Sequence, residues 1–92
     1  MRLLGKPLLF QLTRTHPSTR AWASSWASEI GEANWKQPAD VLRQFPRVGE
    51  PFPNEFAFPV AELPIAVLLK IAFPQSIAVI KQLVNREEFH DY

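Results

Sequence analysis

The 92-residue chain contains no cysteine, and this absence removes two kinds of site at once. Neither a disulfide framework nor a thiolate metal site can form, so we expect a reducing compartment, most naturally the cytoplasm. The sequence also lacks a glycine-rich phosphate loop and the HExxH and GxSxG motifs of common hydrolases. We therefore expect no metal and no small-molecule cofactor.

Long apolar runs and a strong excess of one charge are also missing. No segment approaches the roughly eighteen apolar residues that span a bilayer, and the N-terminal apolar stretch is too short for a signal peptide. We therefore expect neither membrane insertion nor export. The formal net charge is +1, far from the strongly basic balance of a dedicated nucleic-acid binder. Any RNA site must be a local patch.

The composition that is present is typical of a folded protein. Hydrophobic residues make up 47% and charged residues 21% of the chain, whereas disordered chains carry far fewer apolar groups. A chain of this length forms one domain, residues 1–92, and buries only about 60 to 65% of its unfolded surface. Its single core is therefore modest.

The first half of the chain has helical periodicity divided by prolines. Pro7 stands in the first turn of a short helix that ends near His16. Pro17 opens a longer helix. Pro38 begins a third helix, and Pro46 ends it.

The middle helix carries an apolar stripe that we expect to face the core. The stripe consists of Trp22, Trp26, Ile30 and Ala33. Asn34 is the expected C-cap of this helix, Trp35 is expected to pack the corner before the next one, and Lys36 to be solvated.

After residue 54 the period falls to two, which indicates strands. Residues 47–54 are expected to be a loop, and Pro59 demotes the run from Phe56 to Val60 to an edge strand or a strand with a broken ladder. Residues 65–73 and 76–84 form a predicted hairpin with Pro74-Gln75 at its turn.

The two ends of the chain complete the predicted fold. Met1 to Leu4 is expected to add a strand to the sheet, and a capping-box pattern from Asn85 to Glu88 predicts a terminal helix that holds Phe89 and Tyr92. The fold class is therefore α+β, with the N-terminal strand and the helices packed on one face of a mainly antiparallel sheet.

The predicted hairpin has two different faces. Its helix-facing side takes the odd positions of the first strand: Ile65, Val67, Leu69, Ile71 and Phe73. If Ala78, Ile80 and Val84 face the same way, Lys81 joins Lys70 on the other side. The opposite register would bury Lys81 among aliphatic groups, which is expensive. The remaining residues of this second face are apolar: Ala66, Leu68, Val79 and Leu83.

One long stretch resembles a known family. The run HPSTRAWASSWASEIGEANWKQPADV, residues 16–41, is similar to the HigB toxins of bacterial type II toxin-antitoxin modules, within the RelE-like superfamily. The register of residues 56–89 also agrees, so the likeness covers nearly the whole chain. It implies a RelE-like fold, ribosome-dependent cleavage of mRNA, and a helix-turn-helix antitoxin as protein partner.

The chain departs from this family where the family does its chemistry. Ala61-Glu62 replaces the glycines of the turn before the hairpin, and Ala66 replaces a basic residue. Arg86 and Phe89 replace a histidine and a tyrosine of the closing segment. Serines replace basic residues on the long helix: Ser24 and Ser28. Each lost acid, base or charge stabiliser typically costs a factor of about 100 to 1,000 in rate, so the resemblance leaves open whether the chain is an active enzyme.

Four residues are the candidates for relocated chemistry: Lys70, Lys81, Arg86 and His90. Together they would border one surface, with His90 the only group that titrates near neutral pH. The alternative is that the two lysines only keep an exposed sheet face soluble. Two functions remain open: an mRNA-cleaving toxin, and a catalytically inactive relative that binds an antitoxin or another protein. The apolar second face favours impaired catalysis.

Overall fold

A computed structural model describes residues 1–85. Within that range the protein is an α+β domain in which three α-helices pack against a five-stranded, mostly antiparallel sheet. In chain order the elements are β1 Arg2–Leu4, α1 Pro7–Thr15, α2 Arg20–Glu32, α3 Pro38–Gln44, β2 Gly49–Phe52, β3 Glu55–Pro59, β4 Ile65–Ala72 and β5 Ile77–Asn85. The predicted fold class is confirmed at this level of detail.

The sheet has the strand order β1-β5-β4-β3-β2. The predicted hairpin is present as β4 and β5, which pair antiparallel with Ile71 opposite Ala78. The predicted N-terminal strand is also present. It lies at the sheet edge and pairs parallel with β5, with Leu3 beside Ala78. The first and the last strand of the described range are therefore neighbours in the sheet.

The helices cover one face of the sheet and form the core with it. The odd residues of β4 lie in this core, as the alternation predicts; Val67, Leu69 and Ile71 are all buried. From the helical layer, Trp26 packs edge-to-face on Phe58 with ring centroids 5.4 Å apart and stacks on Trp22. Aromatic packing of this kind supplies much of the apolar area in a small domain.

Trp35 packs the corner between α2 and α3, as predicted. Its side chain is 3% exposed, and its ring meets Phe45 edge-to-face. The indole Nε1 donates a hydrogen bond to Gln44 Oε1 at 3.0 Å. Lys36 is exposed, in agreement with the prediction. The expected cap is wrong, because Ala33 in extended conformation ends α2 and Asn34 lies outside the helix.

Pro17 begins one turn of 3-10 helix, Pro17–Thr19, and the α-helix starts only at Arg20. The buried Thr19 hydroxyl donates to the His16 carbonyl oxygen at 2.7 Å. His16 itself is the C-cap of α1. The short first helix therefore ends at His16, as the sequence predicted.

Two predictions about the strands are wrong. Part of the expected loop, residues 47–54, is the edge strand β2, which tolerates Pro51 because an edge strand needs fewer donors. Consequently β3 is an interior strand between β2 and β4. Pro59 is compatible with this position because it is the last residue of β3, where the loss of one N–H ends the ladder without interrupting it.

A β-bulge in β5 corrects the predicted hairpin register. Leu69 pairs with Ile80 but Leu68 pairs with Gln82, so Lys81 is one extra residue in β5. Beyond the bulge the alternation is reversed. Leu83 packs with the helical core, whereas Val84 joins the opposite face with Ala66 and Leu68. The expectation for Leu83 and Val84 is therefore wrong for both residues.

The predicted terminal helix lies outside the described residues, apart from Asn85, which ends β5. Among the helices within residues 1–85, none has the length and apolarity needed to cross a membrane.

Gly5 is the residue that allows β1 to turn into α1 beside β5. Its φ is +88°, and an added Cβ would stand 2.7 Å from the Ile80 carbonyl oxygen. We expect Gly5→Ala to lower the free energy of unfolding by about 1 to 3 kcal/mol, measured by urea denaturation. Gly31→Ala is the matched control. Gly31 lies in α2, and a Cβ added there would have no atom within 4 Å apart from the backbone of its own helix. It should leave stability unchanged or raise it by up to about 1 kcal/mol. Equal effects of the two substitutions would contradict this account.

Ala61 occupies a left-handed conformation, with φ of +47°, in the turn between β3 and β4. A Cβ is unfavourable in that region, which costs about 1 to 2 kcal/mol for ordinary residues. We expect Ala61→Gly to raise the urea midpoint of unfolding, while the same change at the exposed helical residue Ala39 should lower it. A loss of stability for both variants would show that the turn is not strained.

Candidate functional site on the open sheet face

The face of the sheet away from the helices carries the candidate site. This open face is formed by side chains from three adjacent strands: Glu55 and Ala57 on β3, Ala66, Leu68 and Lys70 on β4, and Val79, Lys81, Gln82 and Val84 on β5. On β3 and β4 the assignment follows from strand alternation, since the intervening residues belong to the helical core. On β5 it follows from pairing with the open-face residues of β4 and, for Lys81, from its hydrogen bond to Glu55.

Three charged residues meet on the open face, and we name them the charged cluster: Glu55, Lys70 and Lys81. Glu55 and Lys70 are direct cross-strand partners on β3 and β4. Lys81 Nζ donates a hydrogen bond to Glu55 Oε1 at 3.0 Å. Because Lys81 belongs to β5, its side chain crosses over β4 to reach β3. The carboxylate therefore has one ammonium bound to it and a second on the neighbouring strand.

The bulge in β5 places Gln82 beside Lys81 on the open face. A bulge places two residues opposite one, and both side chains of the pair point to the same side of the sheet. Here Lys81 and Gln82 both stand opposite Leu68 on the open face. Without the bulge, alternation would keep Lys81 on the open face and turn Gln82 toward the core. The bulge thus adds the amide of Gln82 to the open face at the cost of one irregular ladder position.

The members of the charged cluster differ in their access to solvent. The side chain of Glu55 is 14% exposed, whereas that of Lys81 is 43% exposed. Lys70 is also exposed. One carboxylate, paired with Lys81, and two exposed lysines leave net positive charge at the surface, where an anionic ligand could approach.

Apolar residues surround the charged cluster. Ala57, Ala66 and Leu68 form a buried group on one side of it. Three large apolar side chains that are 37 to 48% exposed also belong to this layer: Leu4, Phe52 and Val79. Leu4 pairs with Val79, and Phe52 pairs with Glu55, so they flank the charged cluster along one row. The surface is mixed rather than uniformly polar.

The structure brings together two of the four candidate residues that the sequence suggested. Lys70 and Lys81 lie on the same face, as predicted, whereas Arg86 and His90 lie outside the described residues. Residues 1–85 contain no cluster of His, Cys, Asp and Glu that could hold a metal ion. Two further charged residues of this face, Glu55 and Arg2, were not predicted from the sequence.

The missed residues join the site only through strand pairing. Glu55 comes opposite Lys70 because β3 is an interior strand, and Arg2 lies on the open face because β1 pairs with β5, Arg2 beside Ile77. The alternation of Glu55 with Phe56 and Ala57 is a sequence signal that Glu55 shares a face with Ala57. Nothing in the sequence alone gives the register against Lys70.

A search with protein-family models and a search of curated proteins each gave no match for this chain.

The contact between Lys81 and Glu55 is expected to contribute little to stability, because both groups retain contact with water. A double-mutant cycle with Lys81→Met and Glu55→Gln should give a coupling free energy of about 0.2 to 1 kcal/mol. The coupling should decrease as salt is raised from about 0.05 to 0.5 M, since exposed pairs are screened. Coupling above about 2 kcal/mol that salt does not change would instead assign the pair a structural role.

Proposed function

We propose that the protein is a HigB-like toxin of a type II toxin-antitoxin module that cleaves mRNA at the ribosome, with the charged cluster as its catalytic surface. The convergence of Lys70, Lys81 and Glu55 on the open face is the observation that carries this proposal. Glu55 was not among the residues that the sequence suggested.

The cluster has the groups that RNA cleavage requires. In this reaction the 2′-oxygen attacks the adjacent phosphorus, a 2′,3′-cyclic phosphate forms, and the bond to the 5′-oxygen breaks. Glu55 accepts the proton of the 2′-hydroxyl, and an ammonium group donates a proton to the departing 5′-oxygen. The second ammonium group stabilises the extra negative charge on the phosphate in the transition state. Lys81, which is already bound to Glu55, and Lys70 supply these two positions.

Three observations support the proposal beyond the cluster itself. The NWKQPAD segment, residues 34–40, carries the family resemblance, and its tryptophan packs the helix corner. The N-terminal strand joins the sheet at its edge and the helices cover one sheet face, in agreement with the architecture that the resemblance implies. Arg2 adds another cation at the β1 edge of the open face, where an RNA strand would continue.

The second candidate function is that of an inactive relative which binds an antitoxin or another protein through the open face. The row of exposed apolar residues, Leu4, Val79 and Phe52, favours it, because exposed apolar patches more often meet protein than RNA. Under this function, the charged cluster would orient a partner and catalyse nothing.

Induced expression in a bacterial host distinguishes the two functions. We expect growth arrest with the unchanged chain, and relief of arrest with Glu55→Gln, Lys70→Ala, Lys81→Ala or His90→Ala. Lys36→Ala is the matched control, since Lys36 is an exposed lysine in the loop between α2 and α3. It should arrest growth fully. In primer-extension assays on ribosome-bound mRNA, each cluster variant should cleave about 100 to 1,000 times more slowly.

Amounts of soluble protein must be equal among the variants for this comparison. If the unchanged chain accumulates in soluble form and growth continues, the toxin function is wrong and the protein-binding function stands. If arrest occurs but all cluster variants arrest growth as strongly as Lys36→Ala, the catalytic surface lies elsewhere.

A further inference from the structure

The charges of this chain are divided along the sequence. Residues 1–28 contain four cations, Arg2, Lys6, Arg14 and Arg20, and no Asp or Glu. All nine acidic residues of the chain come after them, beginning with Glu29. The small overall charge therefore conceals a basic N-terminal portion, which in the fold comprises β1, α1 and the first turns of α2.

Two of these cations stand where helices disfavour them. Lys6 is the N-cap of α1 and Arg20 is the first residue of α2. The N-terminal end of a helix carries partial positive charge, so a cation there is unfavourable and an acidic residue is preferred. Neither helix has an acidic residue in its first turn. Within residues 1–85, neither Lys6 nor Arg20 forms a salt bridge.

A groove between α1 and α2 lies beside these two cations. Its volume is about 540 Å³, and we name it the helix groove. Apolar side chains of Leu9, Ala23 and Ala27 line it, and Lys6 and Arg20 border it. Alanines allow the backbone of another helix to approach closely. The groove belongs to the helical layer and is therefore separate from the open face.

Phe10 makes the helix groove unusual for a surface. It lines the groove and is 64% exposed, which is more than any other large apolar side chain in residues 1–85. It lies one helical turn from Lys6 and one turn from Arg14 along α1, so cations stand on both sides of it. An exposed aromatic ring surrounded by cations is typical of a site that becomes buried on binding.

We propose that the helix groove binds an acidic amphipathic helix of a protein partner, with an apolar side chain of that helix against Phe10. Carboxylates of the partner would pair with Lys6, Arg14 and Arg20 and would supply the negative charge that the two helix N-termini lack. The proposal does not rest on the proposed function, because no residue of the charged cluster takes part.

A protein helix fits the helix groove better than RNA or a membrane. RNA phosphates would pair with the cations but would not cover the apolar side chains that line the groove, Leu9, Ala23 and Ala27. A lipid surface would need several exposed apolar side chains on a convex face, and this region presents one, Phe10, at the edge of a concave groove. An amphipathic helix supplies both an apolar stripe and flanking charge.

Selection from a displayed library of amphipathic helical peptides tests the proposal with the full-length protein. We expect the selected peptides to be acidic, with apolar residues spaced three and four apart. The best synthetic peptide should bind Phe10→Ser at least about ten times more weakly than the unchanged chain. Arg20→Glu should weaken binding, and added salt should weaken binding to the unchanged chain more than to Arg20→Glu.

Two control variants keep the result specific. Phe52→Ser removes the exposed phenylalanine of β2, and Lys36→Glu reverses an exposed lysine away from the helix groove. Both should bind the peptide as the unchanged chain does, and circular dichroism should show all four variants folded.

Several outcomes would overturn the proposal. Selected peptides that lack acidic residues, or that bind Phe10→Ser as tightly as the unchanged chain, would show that the helix groove is not the site. Stronger binding of single-stranded RNA or of vesicles with anionic lipid, lost in Phe10→Ser and Arg20→Glu, would assign the surface to a different class of partner. Growth arrest by Phe10→Ser should match the unchanged chain, which separates this test from that of the proposed function.

Discussion

The alternation of side chains along β4 is the constraint on which the rest of the structure depends. One set of residues, Val67, Leu69 and Ile71, is buried against the helices, so the register of β4 cannot slip without exposing the core. The alternate residues Ala66, Leu68 and Lys70 are thereby fixed on the open face. Because β3 and β5 pair with β4 on its two sides, the same constraint sets Glu55 opposite Lys70 and brings Lys81 within reach of both.

The sequence predicted the elements of this fold better than their pairing. Prolines and the change from helical to strand period located the three helices and the hairpin, because these signals are local. The bulge at Lys81 was not predictable, since it depends on which residue of β4 each residue of β5 meets. The strand β2 was missed for a related reason: Gly49 and Pro51 have poor strand propensity, and only pairing with β3 makes the segment extended.

The candidate site was likewise predicted where local patterns determine it and missed where strand pairing determines it. The shared face of Lys70 and Lys81 followed from apolar periodicity, even though the predicted placement of Val84 was wrong, because the bulge acts only beyond Lys81. Glu55 was not predicted, because it joins the site only through the pairing of β3 with β4, and no sequence pattern specified that pairing. The resulting domain has two chemically different surfaces. The open face joins cations, one carboxylate and apolar side chains, while the helix groove joins cations and an exposed phenylalanine without any acidic residue.

The most direct test of the central claim is to locate bound RNA on the folded protein. Backbone amide signals can be followed by NMR while a single-stranded oligonucleotide with 2′-deoxyribose at every position, which cannot be cleaved by 2′-oxygen attack, is added at low salt. The account predicts shifts in β3, β4 and β5 around Glu55, Lys70 and Lys81, which disappear in a Lys70→Ala, Lys81→Ala double variant. Shifts confined to α1 and α2, or shifts that persist in the double variant, would contradict it.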